Sequence, residues 1–402
     1  MTDRVPATDR RPGLICFSHL RWGFVYQRPQ HLLVRALRDY RVTFIEEPII
    51  EPRAEPHLRR SEPSEGLEVL SPIFPEGLAA AQALEHQRKL LDQHLAGVQH
   101  SIEVSWYYTP MALRFSHHVH FPIVVYDCMD ELSQFKGAPR ELLALEQLLL
   151  SRAALVLTGG LSLYEVKRNL HPNVHAFPSS VDTAHYRPSR DRQAQVAPDD
   201  LAAIAGPRIG YFGVIDERID LALVDGVARA RPDVQIVMIG PVVKIDPATL
   251  PRAENIHWLG MKSYAELPRY LAGLDVGWMP FALNDATRFI SPTKTPEFLA
   301  AGVPVVSTSI VDVVRTWGAP GLVGIADDVP ASIAALTAAM QLRQNKEWLG
   351  RVDQQLALSS WDQTWQQIRA LIEACHPQGA ATRPASAATE PALPQSRTGP
   401  GV

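Results

Sequence analysis

The chain has 402 residues, 46% of them hydrophobic and 20% charged, with a formal net charge of −4. That length suits two globular domains of roughly 100–200 residues each. The slightly acidic balance excludes the broad basic face that nucleic acid requires, so no nucleic-acid partner is expected. Three scattered cysteines, Cys16, Cys128 and Cys375, form no CxxC pair and no zinc spacing, and read as reduced, buried thiols.

The leader "MTDRVPATDRRPG" lacks the apolar stretch of a signal peptide, and residues 1–12 read as flexible. No window reaches the ~18 apolar residues of a membrane span. The expected location is therefore cytoplasmic, with peripheral contact at the inner face of a membrane left open. "GLICFSH" (13–19) is a buried strand, "QRPQHLLVRALRDY" an amphipathic helix and "RVTFIEEP" a second strand. "VSWYYTP" and "PIVVYDCMDE" add strands, "ELLALEQLLLSRA" a helix, "ALVLTGG" a strand, "SLYEVKRNLHP" a helix, and "NVHAFPSSVD" closes the first domain at 186. Residues 187–207 gain proline and charge and read as a linker. A second series follows over 208–358: strands at "RIGYFGVI", "VQIVMIGP", "IHWLGMK", "DVGWMPF" and "VPVVSTS", with helices between them. A last helix, about 361–375 within 359–376, carries an apolar stripe from Trp361 to Ile372. The segment 377–402 is rich in Pro, Ala, Ser and Thr and reads as disordered. Strands alternating with helices predict an α/β chain of two doubly wound, Rossmann-like domains facing a cleft. Ligands of such sheets sit at the carboxyl ends of the strands.

Several chemistries lose their motif. "GYFG" at 210–213 is not GxGxxG, and neither GxxxxGK[ST] nor GxSxG occurs. The cluster "HHVH" (117–120) has no further ligands beside it and reads as a surface or turn feature.

The stretch "SPTKTPEFLAAGVPVVST" (291–308) is the most informative. Thr295-Pro296, or alternatively Ser291-Pro292, reads as a helix start at the carboxyl end of a strand. Lys294 in a first turn opposes the helix dipole, which suggests a bound phosphate, with Ser291 and Thr293 as hydroxyl donors. Glu297, one turn on, suits the vicinal hydroxyls of a ribose. Arg218, leaving the first strand of the second domain, suits a diphosphate, or else pairs with Asp216 and Glu217 beside it.

These segments together resemble the nucleotide-binding domain of GT-B glycosyltransferases: "YFGVIDER", "NIHWLGMKSYAELPRYLAGLDVGWMPF" and "FISPTKTPEFLAAGVPVVST". The first half, with "WGFVYQRPQHLLVRAL", "VVYDCMDELSQFKG" and "TGGLSLYEVKR", is similar to bacterial family 1 or teichuronic-acid-type enzymes of cell-wall and exopolysaccharide assembly. The resemblance spans roughly 13–375. It implies a first, acceptor-side domain, a second domain holding a nucleotide sugar, and a terminal helix that crosses back to the first domain. The activity implied is metal-independent sugar transfer from a nucleoside-diphosphate sugar, UDP-linked in this family, to a glycan or lipid-linked acceptor in cell-surface polysaccharide synthesis. The nucleotide sugar is the substrate; no cofactor and no metal are expected, and no DxD triplet stands in the usual place. The resemblance puts Gly260, Met261 and Lys262 in a base-binding loop and Asn284 and Asp285 near the donor sugar. Asp130 matches the base of inverting relatives, with Asp127 as fallback; Asp130 equally suits a helix cap. Arg21, Trp22, Gln27, Arg28 and His31 are expected on the acceptor side, although Arg28-Pro29 also suits a simple helix start. Many retaining members carry two glutamates eight positions apart, the first near the donor sugar; Glu297 matches the second, but Phe289 stands at the first. A sugar-nucleotide epimerase of the same fold and a non-catalytic nucleotide-sugar-binding protein are the alternatives.

Overall fold

The computed structural model describes residues 9–376. The first sheet contains β1 (Gly13–Phe17), β2 (Arg41–Ile45), β3 (Ile49–Glu51), β4 (His57–Ser64), β5 (Leu67–Pro75), β6 (Ile102–Tyr107), β7 (Ile123–Cys128), β8 (Leu155–Thr158) and β9 (Val174–Ala176). They lie in the order β3-β5-β2-β1-β6-β7-β8-β9, and β4 pairs antiparallel with β5. The second sheet contains β10 (Arg208–Phe212), β11 (Gln235–Ile239), β12 (Ile256–Gly260), β13 (Val276–Met279), β14 (Val305–Ser307) and β15 (Val323–Ile325), in the order β12-β11-β10-β13-β14-β15. Their pairings are parallel. β1 and β13 are buried at every residue, as expected of strands covered by crossover helices on both faces.

This order fixes where a ligand goes. In the first sheet the chain leaves β1 in one direction to β2 and returns on the other side to β6. In the second it leaves β10 to β11 and returns to β13. The crevice of a doubly wound sheet opens at such a reversal. Ser18 and His19 therefore emerge at one switch point, and Gly213 at the other.

Two parts of the sequence reading change. Residues 187–207, read as a linker, are packed onto the second domain. Tyr186, Leu201 and Ile204 join its core, Ser189 donates to the Pro268 carbonyl, and Arg190 makes a two-pronged ion pair with Asp353. The β4–β5 hairpin, the helix Ala80–Leu95, β15 and the helix Lys346–Leu356 lie beyond the elements read from sequence. β4 is an edge strand almost wholly exposed, so its residues carry no buried alternation to read.

The terminal helix Trp361–Ala374 crosses back to the first domain. Trp361, Trp365, Ile368 and Ile372 are all at most 2% exposed and pack with Leu14, Leu33 and Trp106. Each such side chain contributes ~1.5–3 kcal/mol of burial, and ion pairs of Asp362 with Arg35 and Arg38 hold the helix register. The leader residues 1–8 and the segment 377–402 lie outside the described residues.

Candidate functional site

Three cavities run end to end along the cleft. The first, about 290 Å³, is walled by Trp22, Tyr26, Gly240, Met261, Lys262 and Tyr264. A narrow channel of about 110 Å³ follows, lined by Asp130, Arg218, Ser291, Thr293 and Lys294. It opens into a broad cavity of about 850 Å³ that holds His19, Arg21, Asp130, Arg218 and Lys244. Val25, Gly213 and Lys294 border the first two spaces. Gln27, Asp130 and Arg218 border the last two.

The middle of this run is built from backbone that can be approached closely. Gly213 and Gly240 end β10 and β11 with φ 140° and 147°. A Cβ on Gly240 would sit 1.8 Å from the Gly213 carbonyl oxygen. Only glycine fits, because the two strand ends approach each other this closely.

The helix bearing the clamp residues runs Lys294–Ala300, and Gly302 ends the turn after it. The start expected at Thr295-Pro296 is thus displaced by two residues: Thr293 flanks the helix, while Thr295 is fully buried with its hydroxyl on the Met279 sulfur at 3.5 Å. Lys294 lies 2.9 Å from the Glu297 carboxylate and 4.8 Å from the Phe212 ring centroid. Glu297 is 3% exposed. Lysine and glutamate are therefore already paired, with Lys294 at the channel wall and Glu297 behind it. Lys262, at the first pocket, pairs with Asp200 at 2.6 Å, while Gly260 ends its strand just outside the pocket lining.

Asp130 stands where the channel widens. Its backbone carbonyl accepts from Leu132, and the short turn Leu132–Gln134 is flanked by Glu131 without a side-chain cap. Its carboxylate caps nothing, which removes the helix-cap alternative, and among the described residues it has no hydrogen bond or ion pair. Burial raises its pKa above the ordinary carboxylate value, with Arg218 pulling it back and Asp216 adding to the rise. Arg218 grips Asp216 through two contacts of 2.8–2.9 Å yet keeps 24% of its side chain exposed. Both readings of Arg218, cleft cation and paired arginine, describe it at once.

The sequence reading missed two supports. His19, at the end of β1, is held neutral: burial, helped by the Lys244 charge, lowers its pKa to about 4. Lys167 is 2% exposed and binds Glu131 and Glu146 at 2.7 Å each, fixing the segment beside Asp130 from behind. No spacing rule reveals a lysine whose partners sit on another helix and a loop. Gln30, also buried, accepts from the Gln27 backbone and donates to the Trp22 carbonyl, which shapes the loop between the cavities.

Several expected site residues are occupied elsewhere. Arg28 and Asp127 form a buried ion pair at 2.9 Å, at 3% and 0% side-chain exposure, and Arg28 also donates to the Phe177 carbonyl. Asp127 is thus corrected from fallback base to structural counter-ion; Arg28 is its partner and still borders the channel. His31 stacks on Trp361 at 4.7 Å and 9°, so it joins the terminal helix to the first domain instead of facing an acceptor. Trp22 borders the small pocket, on the opposite side of the loop from the acceptor cavity. Asn284 spends its side chain capping the turn Asp285–Thr287, and both Asn284 and Asp285 are exposed away from the channel. Arg21 does face the broad cavity, neutralised by Glu46 at 3.1 Å. Phe289 borders a groove on the other side of Glu131, out of the channel. His118 of the histidine cluster pairs with Asp92, and no group of three or more potential metal ligands gathers among the described residues.

Residues 206–344 match the family model described as Glycosyl transferases group 1. A Bacillus subtilis (strain 168) chain named as a teichuronic acid biosynthesis glycosyltransferase, TuaH, is 32% identical over 119 residues. The alignment spans 28% of this chain and 30% of that relative. Among solved structures, sucrose-phosphate synthase from Thermosynechococcus elongatus superposes with a TM-score of 0.67 at 15% identity, covering 90% of this chain and all of that one. Anabaena HepE in complex with UDP and glucose gives 0.61 at 12% identity, with the same coverage. Both share the GT-B fold described above. Among the described residues no helix is long and apolar enough to cross a membrane.

Proposed function

From the premise that residues 206–344 are a group 1 glycosyl transferase domain within a GT-B fold, we propose that this protein transfers a sugar from a UDP-sugar to a glycan or lipid-linked acceptor in cell-surface polysaccharide synthesis. The observation that carries the reading is the unbroken run of pocket, channel and cavity, with Asp130 the one carboxylate lining the channel among the described residues. Uridine is chosen because UDP is the nucleotide in the HepE complex.

The base occupies the small pocket, with the Tyr264 and Tyr26 rings as its aromatic walls. The diphosphate lies along Gly213, Ser291 and Thr293 against Lys294 and Arg218. The acceptor enters from the broad cavity. Its hydroxyl oxygen forms the new bond to the anomeric carbon as the bond from that carbon to the diphosphate oxygen breaks. The transition state is oxocarbenium-like. Lys294 and Arg218 at the channel wall stabilise charge developing on the leaving diphosphate. Asp130 takes the hydroxyl proton, and its raised pKa makes it the stronger base. With no carboxylate at Phe289, inversion at the anomeric carbon is the outcome favoured.

A melting-shift screen of nucleoside diphosphates and nucleotide sugars, followed by donor consumption with and without lipid extract, tests this. Absence of stabilisation by any nucleoside diphosphate would sink it. Conversion of a nucleotide sugar to the epimeric sugar without acceptor would favour the epimerase.

A further inference from the structure

After β11 the chain passes Gly240 and Pro241, and the Val243 amide donates to the Ile215 carbonyl at 3.0 Å. That bond pins the segment against the loop bearing Arg218. One residue later Lys244 adopts φ 62°. A left-handed backbone costs a non-glycine L-residue roughly 1–2 kcal/mol, so a lysine there calls for a compensating role. The turn sends its ammonium across the cleft to Phe135 of the first domain, 5.2 Å from the ring centroid. The Arg218 guanidinium lies 5.6 Å from the same ring. Two cations of one domain thus share one aromatic ring of the other.

Their charges are met differently. Arg218 is neutralised by Asp216. Lys244 is exposed and has no ion-pair partner among the described residues. The carboxylates sharing its cavity without an ion pair are Asp130 and Glu47, and His19 there is neutral. Lys244 lines the broad cavity and not the channel that holds Lys294, so it stands beyond Asp130 from the nucleotide.

We propose that Lys244, with the exposed side of Arg218 and the Phe135 ring, forms an anion subsite for a phosphate or carboxylate carried by the acceptor or by the transferred sugar. This rests on the glycosyltransferase reading and narrows its substrates to charged ones.

The test uses the full-length protein saturated with UDP and titrated calorimetrically with glucose, glucose 6-phosphate and glucuronate. One charge-assisted contact is worth roughly 1.5–3 kcal/mol, or about tenfold and upward in affinity. The wild type is expected to prefer an anionic sugar over glucose by at least about tenfold. Lys244→Met and Lys244→Gly should lose most of that preference, and Lys244→Arg should keep it. Lys244→Gly relieves the backbone, so its melting temperature should hold or rise, which separates lost binding from lost folding. A second arm compares acceptor-independent turnover of UDP-glucuronate and UDP-glucose. Lys244 dependence confined to the glucuronate donor puts the anion on the transferred sugar; dependence confined to the titrated sugars puts it on the acceptor. A wild type that ignores charge in both arms while UDP still raises its melting temperature overturns the subsite alone. Loss of UDP affinity in Lys244→Met as large as the loss for sugar anions also overturns it, because the lysine would then serve the donor. No UDP stabilisation at all would instead remove the underlying glycosyltransferase reading.

Discussion

Replacing Asp127 by Asn separates a structural carboxylate from a catalytic one. The side chain keeps its shape but loses the charge that Arg28 contacts from Nε at 2.9 and 3.0 Å. Arg28 is 2% exposed, and its remaining hydrogen bond is to the Phe177 carbonyl at 2.7 Å. Removing one member of a buried pair costs ~3–5 kcal/mol because the other charge stays buried without compensation. For a domain of this size each kcal/mol moves Tm by about 2–4 °C, so the first domain should melt about 6–20 °C lower. The double variant Arg28→Met/Asp127→Leu removes both charges and should recover most of that loss. Scanning calorimetry with and without UDP reads both numbers, and turnover per folded molecule should change little. A Tm within about 1 °C of wild type together with abolished turnover would refute the reasoning and return Asp127 to the chemistry.

Lys294→Ala should weaken UDP binding about 10–100-fold by calorimetry, the worth of a charge-assisted phosphate contact. It should also lower Tm, since Glu297 is left buried without its partner; unchanged affinity would remove the clamp. Asp130→Asn should abolish transfer and retain UDP binding, and wild-type transfer should decline with falling pH below a midpoint above the ordinary carboxylate value. Full activity in Asp130→Asn would exclude it as the base. Lys167→Met strands two carboxylates, Glu131 and Glu146, and should shift the pH midpoint of transfer as well as Tm; a Tm loss with an unmoved pH profile would leave Lys167 a purely structural residue. Burial, then Arg35, Lys294 and His185, push the His31 pKa down to about 2 from 6.5. The unfolded chain therefore binds the extra proton between those values, and stability present above about pH 6.5 is lost as pH falls through that window. At pH 5 the loss is about 2 kcal/mol relative to pH 8. His31→Phe should flatten that part of the Tm–pH curve, and an unaltered curve would show that His31 is not held neutral.

The buried parallel strands were legible because strands covered on both faces read as uninterrupted apolar runs, as in "GLICF" and "VGWM". The terminal helix was legible for a related reason: a stripe of large side chains at helical spacing must be covered by something. What the stripe could not say is which domain covers it. The resemblance pointed to the first domain, and Leu14, Leu33 and Trp106, far away in sequence, cover the stripe there. Strand β4 escaped because an exposed edge strand has no buried face to impose a pattern, and "HLRRSEPS" carries a proline and charges in its place.

The site was legible to the extent that its geometry is local. Ser291, Thr293 and Lys294 lie within four residues and all line the channel, so their spacing brought them together; Glu297, read as a ribose contact, is buried behind Lys294 and lines none of the three cavities. The chemistry beyond that turn depends on which charges are already spent, and that is a matter of burial across the fold. "RPQH" and "DERID" each offer an arginine near a helix, and the sequence does not distinguish them. In the structure Arg28 and Asp127 bury each other, at 3% and 0% side-chain exposure, although Arg28 still borders the channel. Arg218 holds Asp216 with similar contacts, but the carboxylate is the buried member, at 4%, and the arginine keeps 24% of its surface toward the cleft. An ion pair therefore consumes an arginine only when both partners leave solvent. When the acid alone is buried, the pair aims the arginine instead, so Arg218 keeps an exposed face for a ligand while Arg28, though it borders the channel, does not.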